Sequence, residues 1–352
     1  MNKFWNETTK NIDPYVPGEQ PQDKKYVKLN TNENPYPPSH KVIEAMNKAV
    51  NEDLKLYPDT CSKKLVNAIA NFYNLNEDQI FVGNGSDEVL ALSFLTFFSK
   101  DKKVLFPDIS YSFYIVYAKF CNISYEEISV TDNFEIDLDK FISKEGGVIL
   151  PNPNAPTSKF ISTQDLEKLL IAKKDSIVII DEAYIDFGGE SMTKFINKYD
   201  NLLVIQTFSK SRNLAGIRVG FAMGNKELIE GLNKVKNSFN SYTLDRVAQA
   251  GACAAIEDKE YFEETRNKII KTREKSAKDL KSLGFHVLDS KSNFLFVSHK
   301  NIPGAKLYEE LKSRGVLVRH FSNPKIDNYL RITIGTDKEM DTLINTIREI
   351  LK

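Results

Sequence analysis

Four apolar residues run straight into a polar segment at Leu202-Leu203-Val204-Ile205-Gln206-Thr207-Phe208-Ser209-Lys210. An apolar run this short, with no polar residue inside it, is typical of a strand that is buried on both faces. Similar runs occupy residues 80–82, 104–106, 148–150 and 177–180, and helix-length segments stand between them. This alternation predicts an α/β fold with a mostly parallel sheet sandwiched by helices.

The length of 352 residues suggests about two domains. Residues 1–40 contain six of the thirteen prolines, which favours an extended N-terminal arm. Residues 41–244 carry the alternation of strands and helices and are predicted to form the large domain. A long charged helical segment, followed by three short strands between helices, predicts a smaller α+β C-terminal domain over residues 245–352.

Composition excludes several classes of function. Acidic and basic residues balance at 48 each, whereas nucleic-acid-binding proteins usually carry clustered basic charge, so no nucleic-acid partner is expected. The cysteines Cys61, Cys121 and Cys253 lie far apart and form no CxxC pair, which predicts neither a disulfide framework nor a metal site. Residues 1–20 lack the apolar core of a signal peptide, and the apolar stretch at 89–98 is too short to cross a bilayer. We therefore expect no membrane partner and a cytoplasmic location.

Ligands in such sheets bind beyond the carboxyl ends of the strands, so the residues that follow each run are informative. The run at 80–82 leads to Gly85, Ser86 and Asp87 at the start of a predicted helix. These residues could bind an anion through backbone N–H groups, or simply form a tight turn with a helix cap. Tyr111, which follows the second run, could stack on a planar ligand or belong to the core.

Two further strand ends carry an amide and an acid. The run at 148–150 leads into a proline-rich loop that contains Asn154. The run at 177–180 ends in Asp181-Glu182-Ala183-Tyr184. Asp181 could pair with a buried cationic ligand atom or cap the next helix. A magnesium-binding role is disfavoured, because the glycine-rich loop with its Lys-Ser/Thr ending is missing.

Lys210 is the most informative of these positions. It follows a buried run and stands between Ser209 and Ser211, with Arg218 eight positions later. A desolvated lysine near another cation loses proton affinity and becomes a nucleophilic amine, as a Schiff base requires. Together the strand ends suit a planar, phosphorylated, cationic heteroaromatic aldehyde, and pyridoxal 5'-phosphate fits that description.

These motifs make the chain resemble the fold-type I, pyridoxal-phosphate-dependent aminotransferases, and more narrowly the histidinol-phosphate aminotransferases. The resemblance spans nearly the whole chain and is strongest at residues 181–184, at residues 207–210 and in the spacing from Lys210 to Arg218. It implies that Lys210 carries the cofactor, that Asp181 pairs with the pyridine nitrogen and that Tyr184 bonds the ring hydroxyl. These three residues are the predicted catalytic groups.

The resemblance also implies the other contacts of the site. Many relatives have Asn directly before Pro-Thr-Gly, but this chain has Ala155 there, so the neighbouring Asn154 is assigned the bond to the ring hydroxyl. Tyr111 is expected to stack on the ring, and Tyr57 to reach in from the other subunit of a homodimer. The predicted cofactor-binding set is completed by Gly85, Ser86, Asp87, Thr207, Ser209 and Arg218, and the predicted substrate-binding residues are Tyr15, Asn32, Arg319 and Arg331.

The implied reaction transfers the amino group of L-histidinol phosphate to 2-oxoglutarate, in histidine biosynthesis. An aromatic amino-acid aminotransferase and a threonine-phosphate decarboxylase of the same fold remain alternatives, because no sequence feature identifies the residues that would bind an imidazole. A non-catalytic α/β ligand-binding protein is the alternative from another class. The joint presence of Lys210, Asp181 and Arg218 argues against it.

Overall fold

Strands of the computed structural model, which describes residues 3–352, form three sheets. In chain order they are β1 (Val27–Lys28), β2 (Ile80–Asn84), β3 (Val104–Pro107), β4 (Tyr125–Ile128), β5 (Gly147–Pro151), β6 (Val178–Asp181), β7 (Leu202–Thr207), β8 (Val219–Gly224), β9 (Phe285–Val287), β10 (Phe294–His299), β11 (Val316–Leu317), β12 (Arg319–His320) and β13 (Leu330–Thr333).

The largest sheet has seven strands in the order β2-β8-β7-β6-β5-β3-β4. All neighbours in it are parallel except β8, which is antiparallel to both β2 and β7. Each apolar run of the sequence forms one of its strands, which confirms the predicted α/β fold with a mostly parallel sheet. The sequence reading did not identify β4 and β8.

Both faces of this sheet are apolar because both are covered by helices. Val178 and Ile180 of β6 belong to the core on one face, while Ile179 belongs to the core on the other. In chain order, the α-helices of the described residues are α1 (Glu7–Asn11), α2 (His40–Ala49), α3 (Lys63–Tyr73), α4 (Gly85–Phe97), α5 (Phe113–Phe120), α6 (Leu138–Ile142), α7 (Thr163–Ala172), α8 (Lys226–Phe239), α9 (Arg246–Glu257), α10 (Lys259–Ser282), α11 (Gly304–Ser313) and α12 (Asp337–Ile350), of which the last three pack in the core of the second sheet. Across residues 3–352, none of the helices is both long enough and apolar enough to cross a membrane.

A second core belongs to the four-stranded antiparallel sheet β12-β13-β10-β9. It includes Leu295 of β10, Ile332 of β13 and Leu343 of α12. Leu29 of the N-terminal segment is buried in the same core, and β1 pairs in parallel with β11. The N-terminal segment therefore packs against the second sheet instead of standing apart from it.

The contacts bear on the predicted division at residues 1–40, 41–244 and 245–352. The charged segment predicted to be one long helix is broken at Asp258 into α9 and α10. Ala252 and Ile256 of α9 are buried in the core of the large sheet. Helix α9 thus packs with the large sheet, and α10 is the first helix of this segment that packs in the second core, one helix after the predicted boundary. The division of the chain into three parts stays a prediction.

Candidate active site

A cavity of about 270 Å³ opens at the carboxyl ends of β5, β6 and β7. Residues from the N-terminal segment, the large sheet and the second sheet line it together. Most of the predicted site residues are among them: Tyr15, Asn32, Ser86, Asp87, Tyr111, Asp181, Tyr184, Thr207, Ser209, Lys210, Arg218, Arg319 and Arg331. Gly85, Asn154 and Tyr57 do not line it, each for a different reason given below.

Lys210 lies in the loop after β7, at the floor of the cavity. Its Nζ donates to the backbone oxygen of Thr31 at 3.1 Å and lies 5.7 Å from the centre of the Tyr184 ring. Burial, followed by the positive charge of Arg331, lowers the pKa of the Lys210 amine to about 8. An amine with that pKa is partly neutral near pH 7 and can act as a nucleophile. The sequence suggested Arg218 as the neighbouring cation, but Arg331 has the larger effect.

Asp181 ends β6 and lines the same cavity as Lys210. Its Oδ2 accepts a hydrogen bond from the Tyr114 hydroxyl at 2.7 Å, and its Oδ1 accepts one from the Ala183 backbone N–H at 3.3 Å. Burial raises the pKa of the carboxyl to about 6. Sequence reasoning missed Tyr114, although it stands only three residues after Tyr111, in the same aromatic-rich segment after β3.

An anion-binding corner forms where α4 begins. Arg218 donates from Nη2 to Asp87 at 2.8 Å, and its Nη1 lies 3.5 Å from the Ser209 hydroxyl. Gly85 has a φ of +76°, and a Cβ there would lie 2.5 Å from Arg218 Nη2. Glycine adopts this φ without strain and leaves room for the guanidinium at the helix N-terminus, where backbone N–H groups and the helix dipole favour an anion. Gly85 acts by leaving space, which is why it does not line the cavity.

Asn32 positions Tyr184. Its Nδ2 donates to the Tyr184 hydroxyl at 2.9 Å, while its Oδ1 accepts from Thr333 on β13 at 3.1 Å. Because the Tyr184 oxygen already accepts this bond, its own proton is free to point toward the cavity. Asn32 was predicted to bind substrate, and its polar side chain atoms are instead bonded to these two residues.

Asn154 is not where the sequence placed it. Its Nδ2 donates to the backbone oxygen of Ile109 and to the hydroxyl of Thr157, both at 2.9 Å. The side chain is fully buried in the loop after β5, and Ala155 lines the cavity. Asn154 does not line the cavity and its Nδ2 holds the loop, while its buried Oδ1 has no partner among residues 3–352, so a bond from Asn154 to the ring hydroxyl stays a prediction.

Two arginines from the second sheet form the opposite wall. Arg331 donates from Nη2 to the backbone oxygen of Asn30 at 3.0 Å, and its buried Nε has no partner among residues 3–352. Arg319 lies 3.3–3.4 Å from backbone oxygens of the N-terminal segment. Both guanidinium groups lie within 6 Å of the Phe321 ring, at 5.7 and 5.6 Å, a contact that the sequence analysis did not identify. Such a pair suits a phosphate or carboxylate.

Tyr15 covers this wall from the N-terminal segment. Its ring stacks on Phe113 with 4.3 Å between centroids and lies 6.3 Å from the ring of Tyr111. Tyr111 in turn donates from its hydroxyl to Asp87 at 2.8 Å. The aromatic side of the cavity is thus tied to the anion-binding corner.

Tyr57 lies on the outer surface, away from the cavity of its own chain. It is 76% exposed and stacks on Tyr242 at 4.4 Å. We name as the Tyr57 patch the exposed apolar and aromatic side chains that are near this stacked pair in the sequence, namely Leu54, Leu56 and Phe239, together with Tyr57 and Tyr242 themselves. A patch of this kind is typical of a protein contact.

The cavity fits pyridoxal phosphate group by group. The corner of Arg218 and Gly85 suits the phosphate, and the buried carboxylate of Asp181 suits the ring nitrogen. Lys210 offers an amine of lowered pKa to the aldehyde, and Tyr184 offers a proton to the ring hydroxyl. In the described part of the chain, no cluster of three or more His, Cys, Asp or Glu side chains is arranged to hold a metal ion.

Comparison with known proteins agrees with this geometry. The family model of class I and II aminotransferases matches residues 24–347. The chain is 63% identical to the histidinol-phosphate aminotransferase of Clostridium beijerinckii, with 100% of this chain and 98% of that one covered. It is 59% identical to the one of Clostridium acetobutylicum, with both chains fully covered, at 100% each.

Solved structures give the same result for the fold. A histidinol-phosphate aminotransferase structure from Clostridium acetobutylicum superposes with a TM-score of 0.85 at 28% identity, covering 92% of this chain and 98% of that one. One from Sinorhizobium meliloti, in complex with pyridoxal-5'-phosphate, superposes with a TM-score of 0.89 at 22% identity, covering 99% of each chain. The chain therefore belongs to the class I and II aminotransferases and, within them, to the family of the histidinol-phosphate aminotransferases.

Proposed function

We propose that this enzyme uses pyridoxal 5'-phosphate to transfer the amino group of L-histidinol phosphate to 2-oxoglutarate, giving imidazole-acetol phosphate and glutamate in histidine biosynthesis. One observation carries the proposal: the Lys210 amine and the Asp181 carboxylate line the same cavity as the guanidinium groups of Arg319 and Arg331. A nucleophilic amine, a buried acid and an anion-binding wall are what transamination of a phosphorylated amine requires. The 63% and 59% identical relatives carry the name of the same activity.

The chain's own residues hold the cofactor and move the proton. Bound pyridoxal phosphate supplies a ring that withdraws electrons from the amine-bearing carbon. Arg218 and the N-terminus of α4 hold its phosphate, and Tyr184 donates a proton to its ring oxygen. Asp181 keeps a negative charge beside its ring nitrogen. Lys210 Nζ would remove the proton from the amine-bearing carbon of the substrate as a general base and would deliver it, as a general acid, to the former aldehyde carbon of the cofactor.

The two arginines serve both substrates in turn. A phosphate and a carboxylate both present several oxygens to a guanidinium fork, so Arg331 and Arg319 can bind the phosphate of the donor and the distal carboxylate of the acceptor. Donor and acceptor cannot occupy one anion site together. The two half-reactions must therefore alternate, which predicts ping-pong kinetics.

We further propose that two copies of the chain form a homodimer in the cytoplasm. The Tyr57 patch supports this assembly, since Tyr57 and Phe239 are 76% and 79% exposed. Large exposed apolar side chains in one patch favour burial against another protein surface. In the dimer, Tyr57 of each copy would reach the cavity of the other.

A half-reaction assay tests the donor. The purified holoenzyme is mixed separately with L-histidinol phosphate, phenylalanine and threonine phosphate, and loss of the visible cofactor absorbance is followed. We expect the fastest conversion with histidinol phosphate. Faster conversion with phenylalanine would identify an aromatic aminotransferase, and release of carbon dioxide from threonine phosphate would identify a decarboxylase. Either result would contradict the proposed function.

The cofactor attachment site is tested on the same protein. After borohydride reduction, peptide mapping should find the cofactor on Lys210. Lys173 and Lys236 are the internal controls, because both are largely buried but their amines bond backbone oxygens outside the cavity. Attachment at either of these lysines would exclude the assigned role of Lys210.

A further inference from the structure

Asp181 has a buried hydrogen-bond partner that none of the roles above includes. Tyr114 lies on α5, is 0% exposed, and its hydroxyl donates to Asp181 Oδ2 at 2.7 Å. Asp181 itself is 5% exposed, so water contributes little to the solvation of its carboxylate. The backbone N–H of Ala183, at 3.3 Å, is a longer bond to the other oxygen. The hydroxyl of Tyr114 is thus the shortest contact that stabilises a negative charge on Asp181.

We propose that Tyr114 is a positioning residue, which keeps Asp181 ionised and fixes one of its oxygens so that the carboxylate holds the proton of the cofactor on the ring nitrogen. This inference rests on the proposed function, because it concerns the acid of the same site. Tyr114 touches neither substrate nor cofactor and acts only through Asp181. Its role is separate from that of Tyr111, which lines the cavity and bonds Asp87.

The direction of the effect follows from the charges around Asp181. Burial favours the neutral acid, and the negative charge of Asp87 on α4 favours it further. The bonds from Tyr114 and from the Ala183 backbone act in the opposite direction and lower the pKa of the carboxyl. Tyr184, after β6, also interacts with Asp181, and an ionised Asp181 raises the pKa of that phenol. With the Tyr114 hydroxyl removed, the balance moves toward a protonated Asp181.

A protonated Asp181 would leave the ring nitrogen without its proton. The carboxyl and the ring nitrogen compete for one proton, so any group that weakens the carboxylate as a base leaves that proton on the ring. A protonated ring withdraws electrons from the substrate carbon more strongly than a neutral ring. Tyr114 therefore raises the rate of proton removal by Lys210 without contacting the reacting atoms.

Local packing makes Tyr114→Phe a clean test. The Tyr114 ring contacts Phe94 and Phe106 at centroid distances of 6.4 and 5.9 Å, and a phenylalanine ring keeps both contacts. Tyr117, one turn later on α5, supplies a matched control. It is 7% exposed, and its hydroxyl has no hydrogen-bond partner among residues 3–352. Tyr117→Phe removes the same atom from the same helix without touching Asp181.

The main readout is the ¹⁵N resonance of the ring nitrogen in holoenzyme prepared with ¹⁵N-labelled pyridoxal phosphate. Wild type and Tyr117→Phe should show a protonated nitrogen at pH 7.5. Tyr114→Phe should move the signal toward the unprotonated position, because loss of a bond to a charged group changes the proton balance by about ten- to a hundredfold. We expect kcat to fall by about tenfold in the same variant, with KM for histidinol phosphate little changed.

A second measurement does not depend on cofactor binding. In the apoenzyme, the infrared carboxyl band that disappears in Asp181→Asn should gain its proton at higher pH in Tyr114→Phe than in Tyr117→Phe. If Tyr114→Phe and Tyr117→Phe gave the same ¹⁵N signal and the same infrared titration, the role of Tyr114 would be overturned. The proposed function would still stand in that case, provided that the wild-type enzyme is active. A wild-type protein that binds no pyridoxal phosphate would instead overturn the proposed function and this inference with it.

Discussion

Replacing Arg331 with Gln should weaken both half-reactions at once. Arg331 donates one hydrogen bond from Nη2 to the backbone oxygen of Asn30, and its buried Nε has no partner in the described part of the chain. A buried donor that lacks a partner is costly, so the site is poised for an anion that supplies acceptors. Glutamine keeps the polarity but loses the charge and the planar fork.

The structure sets the size of the effect. A hydrogen bond to a charged group contributes about 1.5–3 kcal/mol, and each 1.4 kcal/mol is a factor of ten, so loss of one such bond lowers kcat/KM by roughly 10- to 150-fold. A guanidinium that binds its anion through two bonds should reach the upper end of that range. The donor and the acceptor should lose the same factor, because both bind the same group.

Arg331→Gln should also change the titration of Lys210. Arg331 is the largest charged contribution that lowers the pKa of this amine to about 8. Removing the charge should raise that pKa, so a smaller fraction of the amine is neutral at pH 7. When the rate of covalent pyridoxal phosphate uptake by the apoenzyme is measured against pH, the rate should therefore be half-maximal at a higher pH in the variant than in wild type.

Arg319→Gln is the matched control for both effects. Arg319 lies on the same wall but contacts backbone oxygens of the N-terminal segment, and it is not among the main causes of the Lys210 shift. We expect a smaller loss of kcat/KM and an unchanged midpoint for cofactor uptake. A loss confined to donor or acceptor in Arg331→Gln, or an equal shift of the midpoint in Arg319→Gln, would refute the reasoning.

Two further predictions concern stability and cofactor affinity. Burial raises the pKa of the Glu182 carboxyl from 4.5 to about 7. Between these values the unfolded chain has released a proton that the folded protein retains, so the free energy of unfolding falls as pH rises, by up to about 3 kcal/mol. Glu182→Gln should remove the contribution of this group to the slope in urea unfolding of the apoenzyme, most clearly between about pH 6 and 7, above the pKa of about 6 of the Asp181 carboxyl. Parallel curves for the two proteins would contradict the assignment. Gly85→Ala would place a Cβ 2.5 Å from Arg218 Nη2, so the guanidinium has to move. If its hydrogen bond to the cofactor phosphate is lost, equilibrium dialysis should show an affinity for pyridoxal phosphate weaker by about ten- to a hundredfold, as expected for one hydrogen bond to a charged group. An unchanged affinity would contradict a phosphate contact that requires the observed position of the Arg218 guanidinium.

The apolar runs by themselves determined five of the seven strands of the large sheet. In β6 and β7 both alternating sets of side chains are apolar, and such a strand is stable only between two helical layers. The polar residues directly after these strands had to meet at one edge, because parallel strands end on the same side. Lys210 and Asp181 could therefore be assigned to one site from the sequence.

Contacts between distant parts of the chain were decided only by the tertiary structure. Tyr114 and Asp181 are 67 positions apart, and Asn32 and Tyr184 are 152 apart, so neither pair leaves a pattern of spacing in the sequence. Local spacing also could not tell which side chain of the loop after β5 faces the cavity. Packing turned Asn154 into the loop, since its buried amide bonds a backbone oxygen and a hydroxyl there.

The electrostatics of the site were also determined partly by the sequence and partly by the tertiary structure. The sequence identified a lysine that would be desolvated after a buried strand, and burial is indeed the largest cause of its lowered pKa. It could not identify Arg331 as the cation that acts on this amine, because β13 belongs to another sheet and approaches Lys210 only when the two sheets pack together. Period and local composition determine which strands form and where they end, whereas the distances between charges depend on how separate layers come together in space.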